Sequence, residues 1–312
     1  MIEKIMKAVK SGNKKRGRNI TVGAVVGMLL SCTVAMGEDV SGLEITKDTS
    51  GGIEFSKEYP ENKWDEASKT YTNNTVISVT VNSADGEAYG LKLSGNLSDL
   101  SLINNGSIVG TTNEGYGKGY GIYIDGSAST GTLKNNGSIA GTANEGYGNG
   151  SGIYIAGSGS IGTLTNNGSI TGTSSSIGGS SGSGIYNEGA ITELENNGSI
   201  VGTATNRCGY GIYHISGTIT KLANNGTIAG TMLGTSADIE SSGIYINSDE
   251  IGTLTNTGVI YGKYNTIYKS DRGTISNASN YGLLLSGDST KNVTTGVEIV
   301  AHDDDTSGKI KN

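Results

Sequence analysis

The stretch Gly162-Thr-Leu-Thr-Asn-Asn-Gly-Ser-Ile170 recurs along the chain and decides its fold. Its Asn-Asn-Gly-Ser-Ile core returns, at first intact and later in weaker forms, at steps of 31, 31, 30, 28 and 32 residues. The copies begin at Asn104, Asn135, Asn166, Asn196, Asn224 and Asn256. A second phrase, Gly-Ile-Tyr, runs at the same period and begins at Gly121, Gly152, Gly184, Gly211 and Gly243. Self-similarity at a fixed period of this size indicates a repeat protein.

Each repeat reads as short strands and turns rather than helices. Apolar residues alternate with others, as Ile153 and Ile155 flank Tyr154. No run is apolar at i, i+3, i+4 and i+7, which a helix would need, and glycine supplies 52 of the 312 residues. A unit with so few aliphatic residues buries a core only by stacking on its neighbours. The sequence therefore predicts an all-β parallel β-helix, a solenoid of about seven coils of about 31 residues over residues 71–290.

The Asn-Asn-Gly turn suits such a stack for two reasons. Asparagine and glycine adopt a left-handed backbone conformation at low cost, so we expect that conformation here. Asparagine side chains that lie one above another can also form hydrogen bonds along the stack. The Asn-Gly-Ser and Asn-Gly-Thr triplets are formally glycosylation acceptors, but turn formation is the first explanation for them.

Residues 38–70 differ from the repeats and are expected to cap the first coil. Phe55, Pro60 and Trp64, each the only residue of its type, fall within ten positions. A solenoid exposes its terminal coil and needs such a cap. The segments 42–45 and 52–55 are predicted to be short strands of the cap, and a binding patch around Trp64 is the alternative. At the other end, residues 291–312 form a polar tail that we expect to be frayed.

Residues 1–37 have the pattern of a signal segment for export. A basic region of seven Lys and Arg residues precedes an apolar run from Ile20 to Met36. Small residues close the run, so the expected cleavage lies near Ala35 or Gly37. Two alternatives stay open: an uncleaved membrane anchor, and a lipoprotein whose lipid is attached to Cys32 of Leu29-Leu-Ser-Cys32.

The basic region, which includes Met6-Lys-Ala-Val-Lys-Ser-Gly-Asn-Lys-Lys-Arg-Gly-Arg18, resembles the extended signal region of type V autotransporters, in particular those of fusobacteria. The repeats are similar to the β-helical passengers of that family. The resemblance implies export through the inner-membrane machinery to the bacterial surface or the medium. Such proteins end in a membrane β-barrel, whose aromatic-rich strands the given residues do not include. We therefore expect either a truncated or split product, or export that uses a separate outer-membrane β-barrel.

The charge balance argues against nucleic acid as a partner. Residues 1–37 hold seven of the 22 basic side chains and one of the 29 acidic ones. The remaining 15 basic and 28 acidic side chains give the exported part a net charge of −13. An acidic chain repels phosphate backbones. Beyond residue 37 only Cys208 remains, so this part cannot form an internal disulfide.

The sequence offers little that points to catalysis, and we expect no enzyme activity, cofactor or metal. A catalytic β-helix needs acidic and basic groups that converge on one groove. The acidic residues are scattered instead, at Glu114, Glu145, Glu188, Glu193, Glu195, Asp238, Glu240, Asp249 and Glu250. A Ca²⁺ site among the last four is an alternative to solvated surface charge. His214 replaces an isoleucine of the repeated phrase and has only His302 as a second histidine.

The tyrosines of the Gly-Ile-Tyr phrase are the candidate ligand-contact face. Since the flanking aliphatic residues point inward, the tyrosines should point outward and stack. They are Tyr123, Tyr154, Tyr186, Tyr213 and Tyr245. A purely structural ladder and a strip that contacts glycan or protein are both compatible with this pattern. The sequence thus predicts a non-catalytic adhesin, or passenger-like protein, whose partner is a host surface protein or glycan. A secreted polysaccharide-active β-helix and a lipid-anchored surface protein are the alternatives.

Overall fold

The computed structural model describes residues 39–48, 50–175, 180–234 and 241–287, and the backbone of short strands at 32–34, 299–301 and 310–311. These residues form strands and turns, and no helix occurs among them, so the prediction of an all-β chain is confirmed. Five strands precede the repeats: β1 (Cys32–Val34), β2 (Val40–Lys47), β3 (Ile53–Phe55), β4 (Lys63–Asp65) and β5 (Thr70–Asn73).

The following strands build the solenoid. They are β6 (Val76–Val81), β7 (Glu87–Leu93), β8 (Asn96–Asn104), β9 (Ser107–Thr112), β10 (Lys118–Ile124), β11 (Ser129–Asn135), β12 (Ser138–Ala143), β13 (Gly150–Ile155), β14 (Ser160–Asn166), β15 (Ser169–Ser174), β16 (Gly182–Asn187), β17 (Ala190–Asn196), β18 (Ser199–Ala204), β19 (Gly209–His214), β20 (Thr218–Asn224), β21 (Thr227–Met232), β22 (Ser242–Asn256), β23 (Val259–Gly262), β24 (Asn265–Asn280) and β25 (Leu283–Ser286). Two short strands, β26 (Ile299–Ala301) and β27 (Ile310–Lys311), pair with β24.

Each coil contributes one strand to each of three parallel faces. The serine face contains β6, β9, β12, β15, β18, β21, β23 and β25. The tyrosine face carries the Gly-Ile-Tyr phrase and contains β7, β10, β13, β16, β19 and the first halves of β22 and β24. The leucine face contains β8, β11, β14, β17, β20 and the second halves of β22 and β24. Every strand therefore pairs in parallel with its own copy one coil away, as the repeat predicted.

The stack has about six turns with the spacing of about 31 residues. They run from Asn73 to Asn256, and a shorter turn of 24 residues then leads to Asn280. The expected figure of about seven coils included this short last turn. Loops of variable length on both sides of the tyrosine face account for the uneven steps between repeats.

Stacked aliphatic residues form one continuous core. On the leucine face, Leu133 pairs with Leu164 and Leu164 with Leu194, and all three are fully buried. Isoleucines of the serine and tyrosine faces complete each layer, and one cluster joins them from the first coil to the last. Burying each such side chain contributes about 1.5–3 kcal/mol, so many weak repeats share one large hydrophobic stabilisation.

The two asparagines of each turn form two separate ladders. The first asparagine points inward, and its Nδ2 donates to the Oδ1 of the next copy, as Asn135 does to Asn166 at 2.8 Å. The second asparagine points outward and donates in the opposite direction along the stack, as Asn167 does to Asn136 at 2.9 Å. The predicted hydrogen bonding between stacked asparagines is confirmed, and an inner and an outer ladder both exist.

The expected left-handed conformation of the Asn-Asn-Gly turn is wrong. None of these asparagines or glycines has a positive φ among the described residues. Close approach between coils selects glycine instead, since a Cβ on Gly137 would lie 2.0 Å from the carbonyl oxygen of Gly106. The glycine of the serine face is selected in the same way, because a Cβ on Gly172 would lie 1.8 Å from the Ser183 carbonyl oxygen.

An aromatic cap covers the first coil. Strand β2 pairs with β7 and β5 with β8, both in parallel, so the cap continues two faces of the solenoid. Antiparallel partners, β3 on β2 and β4 on β5, then end the stacking. Phe55, Tyr59 and Trp64 pack against the end of the core. The two strands predicted in this segment are confirmed as parts of β2 and β3.

Candidate functional site

The five tyrosines of the Gly-Ile-Tyr phrase lie one above another on the outside of the tyrosine face. Strand pairing places Tyr123 beside Tyr154, and the same register continues through Tyr186 and Tyr213 to Tyr245. All five side chains are half-buried. From the first to the last, neighbouring ring centroids are 5.4, 4.8, 5.0 and 5.0 Å apart. The rings form a column, in which Tyr123 and Tyr154 are stacked while Tyr213 meets both of its neighbours edge-to-face, and the role of the column in binding stays a prediction.

Four further tyrosines contact this column, and three of them, Tyr89, Tyr120 and Tyr210, are buried. Tyr268 continues it in the last coil, with its ring 4.7 Å from that of Tyr245. Tyr120 and Tyr210 lie beside the column, 5.3 Å from Tyr123 and 4.3 Å from Tyr213 respectively. Each ring of the resulting set touches at least one other. We call the set the tyrosine array: Tyr89, Tyr120, Tyr123, Tyr154, Tyr186, Tyr210, Tyr213, Tyr245 and Tyr268.

Strict strand alternation did not predict the added rings. Tyr120 and Tyr123 are three residues apart, so alternation would place them on opposite faces. The four consecutive buried residues from Gly119 to Ile122 show that alternation is interrupted there, and the pairing between strands passes over Gly121. The phrase Gly-Tyr-Gly-Ile-Tyr, present at Gly119 and again at Gly209, was the signal that these coils carry a second ring.

The tyrosine array is neutral at physiological pH. Burial is the largest cause that raises the pKa of the phenols of Tyr120, Tyr154 and Tyr210. The Tyr154 hydroxyl also donates to Glu188 Oε2 at 2.9 Å, and this carboxylate raises the pKa of Tyr154 further. Protonated hydroxyls and ring edges are therefore what the array presents. Such rings combine large apolar contact with polar tips, a combination that is enriched at binding interfaces.

A smaller aromatic surface lies on the loops between the serine and tyrosine faces. Tyr116 and Tyr147 occupy equivalent loops, and their rings stack with centroids 5.1 Å apart and planes inclined by 15°. They are 63% and 52% exposed, far more than the tyrosines of the array. Asn113 and Asn144 join these loops through a further asparagine hydrogen bond of 2.7 Å. This exposed pair is a second, separate aromatic surface that a partner can contact.

Several of the acidic residues that the structure describes form local interactions. Glu193 forms an ion pair with Lys221, and Asp249 Oδ2 accepts a hydrogen bond from the Gly217 amide at 2.8 Å. Asp238 and Glu240 lie outside the described residues. Within the described ranges, no group of three or more His, Cys, Asp or Glu side chains is arranged to hold a metal ion. The absence of metal, cofactor and catalysis remains a prediction.

His214 and Cys208, two residues that occur only once in the repeats, both lie against other residues of the solenoid. His214 is fully buried in the interior column of the tyrosine face, where its Nδ1 accepts a hydrogen bond from Asn187 Nδ2 at 3.0 Å. Burial lowers the pKa of His214, against the opposing charge of Asp249. The Cys208 thiol lies close to Tyr210 and adds to the effect of burial in raising the pKa of that phenol.

The signals for export fall mostly outside the described residues. Ala35 and Gly37, the expected cleavage positions, lie there, and Cys32 is described only as backbone of β1. Across the ranges that the structure covers, no helix has the length and apolarity needed to cross a membrane. Cleavage, anchoring and lipidation thus remain predictions.

Comparison of the chain with protein-family models, with curated proteins and with solved structures gave no significant match.

Proposed function

We propose that the chain is the passenger-like part of an exported bacterial protein, and that it binds surface ligands rather than catalysing a reaction. The observation that carries the proposal is the tyrosine array, nine contacting rings along the tyrosine face, of which six are half-buried and three are buried. Tyrosine offers large contact area at a low cost in conformational entropy, and buried aromatic residues dominate binding at many interfaces. The signal-like leader and the acidic, cysteine-poor remainder support a place at the cell surface or in the medium.

The regular spacing of the array favours an extended partner. Ring centroids repeat every 4.7–5.4 Å along the stack, so a glycan chain or an extended polypeptide can contact several coils at once. Contacts that are weak at each coil then add through one linked ligand. The phenols are neutral and the carboxylates of Glu87, Asp125 and Glu188 lie close to them, which fits a host glycan or surface protein better than a nucleic acid.

The test compares two triple variants of the full chain on immobilised host glycans and matrix proteins. The first variant carries Tyr154→Thr, Tyr186→Thr and Tyr213→Thr. The control carries Thr142→Val, Thr173→Val and Thr203→Val, which changes half-buried outward residues on the serine face of the same coils. We expect the tyrosine variant to bind at least about tenfold more weakly and the control to bind like the original chain.

Incubation with uronic-acid polymers separates this proposal from a polysaccharide-active enzyme. Release of unsaturated sugar ends by the original chain would contradict the non-catalytic function. Equal binding of both triple variants to every probe that the original chain binds would show that the array is only a structural ladder.

A further inference from the structure

The cap contains a pocket that the tyrosine array does not explain. Its volume is about 510 Å³, which lies within the range of small-molecule sites. Four aromatic residues line it: Phe55, Tyr59, Trp64 and Tyr71. The pocket opens beside the first coil, on the turn and strands between β3 and β5. A cap needs only to cover the core, so an aromatic-lined space of this size calls for a second explanation.

Three of these aromatic side chains, Phe55, Trp64 and Tyr71, pack against one another. The Phe55 ring stacks on Tyr71, with centroids 5.0 Å apart and planes inclined by 26°. The same ring meets Trp64 edge-to-face, with centroids 5.2 Å apart and planes inclined by 64°. Tyr71 is almost fully buried, which fixes this corner of the pocket on the core. Because Phe55 is in contact with both other rings, a ligand can reach only the sides of these rings that line the pocket, and electron-rich ring faces there attract a cation.

The polar groups around the pocket are already engaged within the protein. The Tyr59 hydroxyl donates to the Gly42 carbonyl at 2.9 Å, and Asn62 Nδ2 donates to the Tyr71 hydroxyl at 2.8 Å. Trp64 Nε1 donates to Glu66 Oε2 at 2.8 Å. A sugar requires several donors and acceptors and would find few of them here. A ligand that needs ring faces and an anion, but no hydrogen bond, fits better.

The two charged residues that line the pocket differ in whether their side chains form hydrogen bonds within the protein. Lys57 Nζ donates to the Ser41 carbonyl at 3.0 Å, so part of its hydrogen-bonding capacity is used within the cap. The Glu58 carboxylate makes no hydrogen bond or ion pair with any described residue. An exposed carboxylate beside aromatic side chains can balance the charge of a cationic group that has no hydrogen-bond donors.

We propose that this cap pocket binds a quaternary ammonium group of the kind that choline carries. The methylated nitrogen would lie against the sides of the Phe55 and Trp64 rings that line the pocket, with the Glu58 carboxylate balancing its charge. The site is separate from the tyrosine array, so the two proposals can fail independently.

The chain supplies its own reporter for the test. Trp64 is the only tryptophan, so the intrinsic tryptophan fluorescence of the full chain reports on this pocket alone. We expect a saturable change in fluorescence as choline is added. The uncharged isostere of choline, in which carbon replaces nitrogen, should bind at least about tenfold more weakly because it lacks the attraction of a cation to the rings.

Two matched variants that keep Trp64 test the role of charge. Glu58→Gln should weaken choline binding, and Lys57→Gln, which retains a donor for Ser41, should strengthen it, each by several-fold, with unchanged far-ultraviolet circular dichroism. Equal affinity for choline and its uncharged isostere would overturn the proposal in favour of an apolar site. Saturation by oligosaccharides without a response to choline, or no saturable response to either, would overturn it as well.

Discussion

His214 occupies an interior position that isoleucine or leucine fills in most other coils. Along this column, His214 pairs in register with Asn187 on one side and with Ile246 on the other. Its hydrogen bond to Asn187 makes Nδ1 the acceptor, so the proton of the neutral ring belongs on Nε2. Nε2 has no hydrogen-bond partner among the described residues. Protonation would add a proton to Nδ1, which faces the Asn187 amide donor. Burial lowers the pKa of His214 below its ordinary value of 6.5, against the opposing effect of Asp249 and the backbone of Glu250 and Gly217.

This residue should make stability depend on pH. The unfolded chain takes up a proton on this histidine at a higher pH than the folded chain does, so acid favours unfolding. The contribution is fully present above pH 6.5 and is lost as the pH falls from there towards the lower pKa of the folded state. The slope approaches about 1.4 kcal/mol per pH unit for one proton.

The measurement is denaturant unfolding of the original chain and of His214→Ile between about pH 7 and pH 5. Subtracting the two curves cancels the groups that they share, including His302. The original chain should lose stability relative to the variant as the pH falls. A difference that does not change with pH would contradict the buried, neutral state of His214.

Glycines that the sequence alone does not distinguish should differ sharply in how well they tolerate substitution by alanine. Gly172→Ala places a Cβ 1.8 Å from the Ser183 carbonyl oxygen, so two strands must move apart. We expect a loss of stability of about 1–3 kcal/mol. Gly126→Ala is the matched control, because its Cβ would lie 3.5 Å from the nearest atom and the residue has no positive φ. Thermal unfolding of both variants checks this, and similar losses would refute the role of close approach.

At the scale of one element, the inner asparagine ladder acts as a continuous polar strip inside an apolar stack. Asn166 accepts from Asn135 and donates to Asn196, each at 2.8 Å, and all three are fully buried. Asn166 also donates to two backbone carbonyls, that of Gly168 in its own turn and that of Ser199 in the next coil. The ladder therefore satisfies backbone groups that the sharp turn leaves without strand partners, which explains why a polar residue recurs there.

Interrupting the inner asparagine ladder should reduce the stability of the protein much more than interrupting the outer ladder. Asn166→Leu removes the donor to Asn196 Oδ1 and leaves that buried acceptor without its ladder partner, at a cost of about 1–3 kcal/mol. Its neighbour in sequence gives the control. Asn167→Ala breaks the exposed outer ladder, where water replaces the lost partner, and should change stability by about 0.5 kcal/mol or less. Equilibrium unfolding of the two variants distinguishes them, and equal effects would contradict this assignment.

The period and the inward residues of these elements were predictable from the sequence because each coil repeats the same physical problem. Leu133, Leu164 and Leu194 had to coincide for any core to form, and they do. The reason for the turn glycines was not predictable, since close approach depends on how neighbouring coils meet rather than on a local conformation. The extra rings of the array were missed for a related reason. The interrupted alternation at Gly121, which places the buried Tyr120 beside Tyr123, accompanies the close packing of Gly121 against the serine face.

At the scale of the whole stack, the two described ends of the solenoid are unlike. At the start, the antiparallel strands β3 and β4 end the pairing, and Phe55 and Trp64 cover the core. At the last coil, β25 pairs only with β23 among the described strands. There Leu283 and Leu285 are 57% and 44% exposed, whereas their equivalents in the preceding coil are better covered. Each coil is held only by its neighbours, so a poorly covered end is the expected site of local opening.

Hydrogen exchange should therefore be graded along the stack rather than uniform. We expect the amides of β25 to exchange fastest, those of β23 more slowly and those of β14 and β17 slowest, because central strands open only after their neighbours have opened. The capped end should be protected more strongly than the last coil. Leu164→Ala supplies a matched perturbation, since a cavity in the central core costs about 2–5 kcal/mol and should lower protection in the coils on both sides. Exchange followed by mass spectrometry at the level of single coils measures this gradient. Equal protection of all coils would mean that the stack opens as one cooperative unit, and the additive picture of its stability would then be wrong.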